Sequence, residues 1–216
     1  MKLILTGSSG FVGRELLSQC LEHPSVTAVI ALTRHELTGH EKHDKLKVVL
    51  MEDFSSYPET AREAIRGADA CIWTLGVKPS QVSDNDMARR ISIEYTTAAA
   101  WLFNDICQKP FRFVYCSGYL AERDQTKQLW YLQDYRRIRG QVETELLTFD
   151  NENTGFESYI LQPAMIRSRS IINFYELMIA VGPSIKVDEL ASKMLNLALE
   201  GGSKKLWTNS EINEEV

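Results

Sequence analysis

Three glycines near the start, Gly7, Gly10 and Gly13, are the residues whose spacing most clearly points to chemistry in this 216-residue sequence. They lie in Thr6-Gly7-Ser8-Ser9-Gly10-Phe11-Val12-Gly13, directly after the apolar run Leu3-Ile4-Leu5. The next stretch places Leu16, Leu17, Cys20 and Leu21 on one helical face. A strand that turns through spaced glycines into a helix makes a phosphate cradle. Gly7 permits the sharp turn, Gly10 lets backbone approach a pyrophosphate, and Gly13 lets helix and strand pack closely. The N–H groups at the helix start, around Ser9, Phe11 and Val12, then face the anion, helped by the helix dipole. No Gly-Lys-Ser/Thr comes after it, so the loop is not of the P-loop type.

Other residues bear on which nucleotide such a loop would hold. An acid after the second strand takes ribose hydroxyls in NAD-preferring domains. Here Thr33-Arg34 stands in that place. A guanidinium pairs with a ribose 2′-phosphate, which favours NADP over NAD, although Glu36 competes for it. Asp53, after the third strand, either accepts from an adenine amino group or caps the next helix. Leu75 and Gly76 end the fourth strand and are further candidate cofactor contacts. Gly76 allows close passage of backbone or simply marks a turn.

The elements that must position these residues alternate along nearly the whole chain. Strands are predicted at 2–6, 26–32, 46–51, 68–75, 111–116 and 156–161. Helices are predicted from residue 14 and at 58–66, 86–108, 131–149 and 187–199. That alternation is the pattern of an α/β, doubly wound parallel sheet in a three-layer α/β/α Rossmann arrangement. Length suits one dinucleotide-binding domain over 1–216, with a small C-terminal substrate-side segment from about 163 to 216. The irregular stretches 77–85, 121–128 and 167–183 fall after strands, where open α/β sheets bind ligands. The tail 211–216 reads as a frayed end or a partner contact.

Composition narrows the class. A 44% hydrophobic and 25% charged chain is that of a globular protein. A net charge of −5 argues against a nucleic-acid surface. No apolar run is long enough to span a membrane, and Leu3-Ile4-Leu5 is too short for a signal-peptide core. Cys20, Cys71, Cys107 and Cys116 show no CxxC spacing and read as free thiols in a reducing compartment, with cytoplasm the expected location. His23, His35, His40 and His43 have no matching ligand pattern, so no metal is expected.

Beyond the glycine loop, the chain has Phe113-Val114-Tyr115-Cys116-Ser117 in its fifth strand and Tyr135-x-x-x-Arg139-Gly140-Gln141-Val142-Glu143 in a later helix. With Pro163 after strand six and Val187-Asp188-Glu189-Leu190-Ala191, this resembles the short-chain dehydrogenase/reductase superfamily over nearly the whole chain. Within it the chain looks like the compact atypical, Tat-interacting-protein-like members. The resemblance implies hydride transfer to or from nicotinamide, with Tyr135 passing a proton to or from the substrate oxygen. It also places Tyr135, Arg139 and Pro163 beside the cofactor. A tyrosine near its ordinary value of about 10 is a poor base, so the family sets a lysine four residues along, on the same helix face. Here that position is Arg139, which supplies charge but releases no proton. The family's second strand-end hydroxyl is replaced by Gly118, leaving Ser117 as the possible orienter.

Two functional readings are open. One is an NADP(H)-dependent oxidoreductase acting on a carbonyl or alcohol. The other is a catalytically degenerate NADP(H)-sensing or scaffolding protein, with a protein partner in place of a substrate. Isomerase, epimerase or dehydratase chemistry also exists in the superfamily. Trp130, Tyr131, Phe174 and Tyr175 suggest a partly hydrophobic ligand, unless Leu129-Trp130-Tyr131 packs into the core. Arg167 and Arg169 could receive an anionic substrate or face water. Monomer and homodimer both fit, the two long helices being where superfamily members pair.

Overall fold

The computed structural model describes residues 1–37, 43–77, 84–169 and 182–214. His40, Phe174, Tyr175 and large parts of the 77–85 and 167–183 stretches lie outside the described residues. Seven parallel strands form the main sheet: β1 (Lys2–Thr6), β2 (Ala28–Thr33), β3 (Leu46–Leu50), β4 (Ala70–Trp73), β5 (Phe111–Cys116), β6 (Phe156–Gln162) and, at the far edge, β9 (Leu206–Thr208). The sheet order is β3-β2-β1-β4-β5-β6-β9. Two short strands, β7 (Met165–Arg167) and β8 (Ser184–Lys186), pair separately in parallel.

Side-chain alternation along the strands sorts the core into two layers. Ile4, Trp73, Phe113 and Tyr115 face one side, against α2 (Glu59–Ile65), α4 (Tyr95–Ile106) and α5 (Gln133–Glu152). Leu3, Leu5, Ile72 and Val114 face the other, against α1 (Phe11–Glu22), α6 (Val187–Glu200) and α7 (Asn209–Glu214). Strands buried on both faces read as continuous apolar runs, which is why they are legible in the sequence. Thr6, the last residue of β1, stands beside Leu32 of β2 and Trp73 of β4. The chain winds outward through β2 and β3, then returns to β4 on the opposite side of β1. This reversal opens a crevice outside the strand ends.

Two expectations change. The helix expected at 86–108 runs without a gap from Asn85 to Ile106, but as α3 (Asn85–Arg89), a π-helical turn over Arg90–Glu94, and α4. The tail is no frayed end through residue 214. It forms α7, with Ile212 fully buried and Asn209 accepting from the Ala164 N–H at 2.9 Å.

Candidate functional site

A cleft of about 450 Å³ runs across the crevice, lined by Gly7, Gly10 to Gly13, Thr74, Gly76, Val77, Cys116, Ser117, Tyr135, Arg139, Ala164 and Ile166. Its glycine end is shaped by backbone. Gly7 has φ +71°, and a Cβ there would lie 2.5 Å from Thr74 Oγ1. A Cβ on Gly13 would lie 2.0 Å from the Gly7 carbonyl oxygen, so only glycine fits. The Gly10 N–H donates to Gly7 O at 2.8 Å and closes the turn. Thr74 pins the loop to the neighbouring strand by donating its hydroxyl to Thr6 O at 2.6 Å.

The loop has the donors an anion needs. Helix α1 begins at Phe11 with no side-chain cap at Gly10, so its first N–H groups are left for a ligand. Among the described residues the buried Ser8 hydroxyl has no hydrogen-bond partner, and such a group is costly unless something completes it. These residues fit a dinucleotide pyrophosphate.

At the other end, α5 carries Tyr135 and Arg139 on one face. Gly140 lets this helix lie against the preceding loop, since a Cβ there would sit 1.9 Å from the Glu122 carbonyl oxygen. Arg139 is only 8% exposed. It donates through Nη1 to the Tyr115 hydroxyl at 3.0 Å and to the Cys116 carbonyl at 3.1 Å. The same guanidinium sits 5.3 Å from the centre of the Tyr135 ring, a cation–π contact. It also closes on Gly76, where a Cβ would be 2.7 Å from Nη2. Burial pushes the Tyr115 hydroxyl above its ordinary value, so it stays a neutral anchor. Burial likewise pushes the Cys116 thiol up to about 11, which keeps it protonated.

The Tyr135 hydroxyl faces Gly118: a Cβ at 118 would be 3.1 Å from it. Ser117 lines the cleft, but its Oγ donates to Glu143 at 2.5 Å. Glu143 is fully buried and also accepts from Gln162 Nε2 at 2.9 and 3.0 Å. Burial raises its carboxyl above the ordinary range. The acid thus ties α5 to the ends of β5 and β6.

Of the residues singled out in the sequence, Gly7, Gly10, Phe11, Val12, Gly13, Gly76, Ser117, Tyr135 and Arg139 converge on this cleft. Ser9 is exposed at the loop tip, Leu75 packs against the core, and Pro163 is buried, its carbonyl accepting from Tyr119 N–H at 2.9 Å. Arg34 and Asp53 lie past the ends of β2 and β3 and do not line it. Asp53 does not cap α2, whose N-cap is Pro58. Instead it accepts from Ser55 N–H at 2.8 Å and Ser55 Oγ at 2.6 Å, and pairs with Arg90 at 3.0 Å.

Trp130 is 95% exposed and leans at a tilt against Tyr131 rather than packing into the core. Arg169 is engaged by Glu15 and by Asp188, the latter at 3.6 Å, so it does not simply face water. Thr74, Tyr115 and Glu143 take roles here that sequence reasoning misses. Only Thr74, ending a strand beside the glycine loop, carries a signal that could find it.

A family model described as NAD(P)H-binding matches residues 7–196. Leucinostatins biosynthesis cluster protein T of Purpureocillium lilacinum is 26% identical over 208 residues, covering 91% of this chain and 74% of that protein. Among solved structures, the short-chain dehydrogenase/reductase described as glucose/ribitol dehydrogenase from Brucella melitensis superposes with a TM-score of 0.74 at 15% identity, covering 96% of this chain and 93% of that one. Yeast methylglyoxal/isovaleraldehyde reductase Gre2, solved with NADPH, gives 0.73 at 12% identity, covering 96% and 77%.

Proposed function

This chain belongs to the NAD(P)H-binding family and has the fold of the short-chain dehydrogenases/reductases, and from that premise we propose that it transfers hydride between NADP(H) and a carbonyl or alcohol, with Tyr135 as the acid/base. The observation that carries the reading is the pairing of a Tyr135 hydroxyl facing Gly118 with the Arg139 guanidinium over its ring. Gly7, Gly10, Gly13 and the first N–H groups of α1 would hold the pyrophosphate, and Arg34 would read the 2′-phosphate. When bound, NADP(H) supplies or takes the hydride.

In the reducing direction Tyr135 Oη gives its proton to the substrate oxygen, and in the oxidising direction it takes that proton back. Arg139 stabilises the negative charge that develops on Oη during transfer, but it passes no proton itself. The proton on Oη is therefore exchanged with water entering the cleft. With glycine at 118 and the Ser117 proton committed to Glu143, Tyr135 is, among the described residues, the group that orients the substrate oxygen. The segment from 163 onward, through Ala164 and Ile166, forms the substrate side.

The departures at 118 and 139 favour a second reading, a cofactor-sensing protein without turnover. NADPH oxidation across a carbonyl panel separates the two. An oxidoreductase shows turnover that falls by about 10²–10⁴ in Tyr135→Phe, with NADPH affinity unchanged. Equal turnover in that variant removes Tyr135 from the mechanism. Tight binding with no turnover on any carbonyl supports the sensor.

A further inference from the structure

The Ser117 hydroxyl has one proton and two places to send it. It lines the same cleft as Tyr135, and its Oγ lies 2.5 Å from Glu143 Oε1. We propose that Glu143 is a positioning residue for the substrate oxygen: protonated, it donates to Ser117 Oγ and turns the Ser117 proton into the cleft; ionised, it holds that proton away. The proposal rests on the hydride-transfer reading above and deepens it, giving the substrate oxygen a second donor that comes and goes with pH.

The surroundings of this acid favour its neutral form. Glu143 is fully buried on α5. Its hydrogen-bond partners, Ser117 just past β5 and Gln162 at the end of β6, are both neutral. Arg123, in the loop after β5, and Arg139, one turn earlier on α5, act on it through their charge. Arg139 Nη1 is already spent on the Tyr115 hydroxyl and the Cys116 carbonyl. Tyr115, itself sensitive to Glu143, stays neutral. A carboxylate enclosed in this way is costly, and burial outweighs the hydrogen bonds and the arginine charges that favour ionisation.

A serine hydroxyl donates once and accepts twice, so the two states differ in the direction of a single bond. With the carboxylate present, Ser117 donates to Oε1 and offers the cleft only lone pairs. With the proton on Oε1, the acid donates to Ser117 Oγ, and the serine proton rotates towards the substrate oxygen. Gln162 Nε2 stands 2.9 Å from Oε1 and 3.0 Å from Oε2, so it serves Oε2 when Oε1 takes the proton. The proton arrives by relay: hydronium in the cleft gives one proton to Ser117 Oγ as Ser117 passes its own to Oε1. The reverse step returns it, and no other bond forms or breaks. Gly118 makes the reversal matter, because the residue after Ser117 brings no hydroxyl of its own.

The test compares wild type, Ser117→Ala, Glu143→Gln and the double variant across pH. Two signals are read: NADPH oxidation with diacetyl as the carbonyl probe, and the infrared carbonyl band of a protonated carboxyl. On the acid side of the Glu143 midpoint, Ser117→Ala should lower kcat by about tenfold with KM little changed. On the alkaline side it should cost less than about twofold. In the Glu143→Gln background, whose amide donates to Ser117 at every pH, the cost should be the same throughout. A cost that is equal at every pH with Glu143 present, or absent at every pH, would overturn the proposal. The infrared titration decides the reversal without turnover. A protonated-carboxyl band missing from Glu143→Gln should titrate away as pH rises, and at a higher pH in Ser117→Ala, where the carboxylate has lost a donor. No such band, or a midpoint indifferent to Ser117→Ala, would also overturn the proposal. A titrating band with no turnover of diacetyl would defeat the hydride reading, and the substrate role of Ser117 with it, while leaving the proton reversal standing.

Discussion

At the glycine end of the cleft the shape is made by backbone; at the tyrosine end it is made by side chains. Gly7 and Gly13 meet Thr74 and the Gly7 carbonyl so closely that no Cβ fits, and apart from the Thr74 hydroxyl that pins the loop to Thr6 the shape there is set by main chain. At the other end Arg139 is fixed by Tyr115 and the Cys116 carbonyl, and Ser117 by a buried acid. A backbone cradle tolerates few substitutions, because its donors come from the turn itself. A side-chain constellation can be rewired while the sheet beneath it stays intact. On that view the first end follows the glycine spacing expected from the sequence, and the second is where Gly118 and Arg139 differ from the expected constellation.

If the difference is real, the largest effect comes from adding one methyl group to the rigid end. Gly13→Ala should abolish dinucleotide binding and destabilise the fold by about 3 kcal/mol, since the clash is with backbone that cannot step aside. Gly10→Ala meets only the Gly7 carbonyl at 3.1 Å and should melt within a few degrees of wild type. Equal losses in the two variants, read by thermal melting and titration, would mean that the loop is not held by close packing.

A smaller effect is expected where the adaptable end is pushed back towards the family pattern. Gly118→Ser restores a hydroxyl but sets a Cβ 3.1 Å from Tyr135 Oη. The tyrosine must shift by a few tenths of an ångström. Turnover should fall by about tenfold with cofactor affinity unchanged. A gain in turnover would show that the missing hydroxyl, not the placement of Tyr135, limits the site.

The smallest effect is one of slope. Because burial raises the Glu143 carboxyl, the folded chain keeps a proton that the unfolded chain has released. That stabilisation is present below the ordinary carboxyl value and is lost as pH rises through the raised one. Glu143→Gln removes the titration. The wild-type melting temperature should therefore decline relative to the variant as pH rises through that interval. Parallel pH profiles would contradict a raised, buried acid at 143.

Most of the sheet was legible because its strands are apolar on both faces, and the glycine loop because its spacing is a local property. The π turn was not, since an i to i+5 bond leaves the apolar pattern of 86–108 looking helical. Nor was α7, six mostly polar residues held in place by the burial of the one apolar side chain among them, Ile212. Tyr135 and Arg139 could be paired by their spacing on one helix. The partnership of Ser117 with Glu143 could not, because the residues are 26 positions apart and meet only through the packing of α5 on the sheet. The pairing of Arg90 with Asp53 was hidden for the same reason: the two lie 37 residues apart.

The central claim, that the glycine end binds NADP(H), is tested most directly by calorimetric titration of wild type and Gly10→Asp with NADPH. Aspartate at 10 is a good N-cap, and its Cβ would stand 3.1 Å from the Gly7 carbonyl, a contact relieved by a shift of a few tenths of an ångström, so the fold should persist while its charge repels the pyrophosphate. Micromolar or tighter binding by wild type, lost in the variant, is the expected result. No binding by wild type, or equal binding by both, would contradict the account.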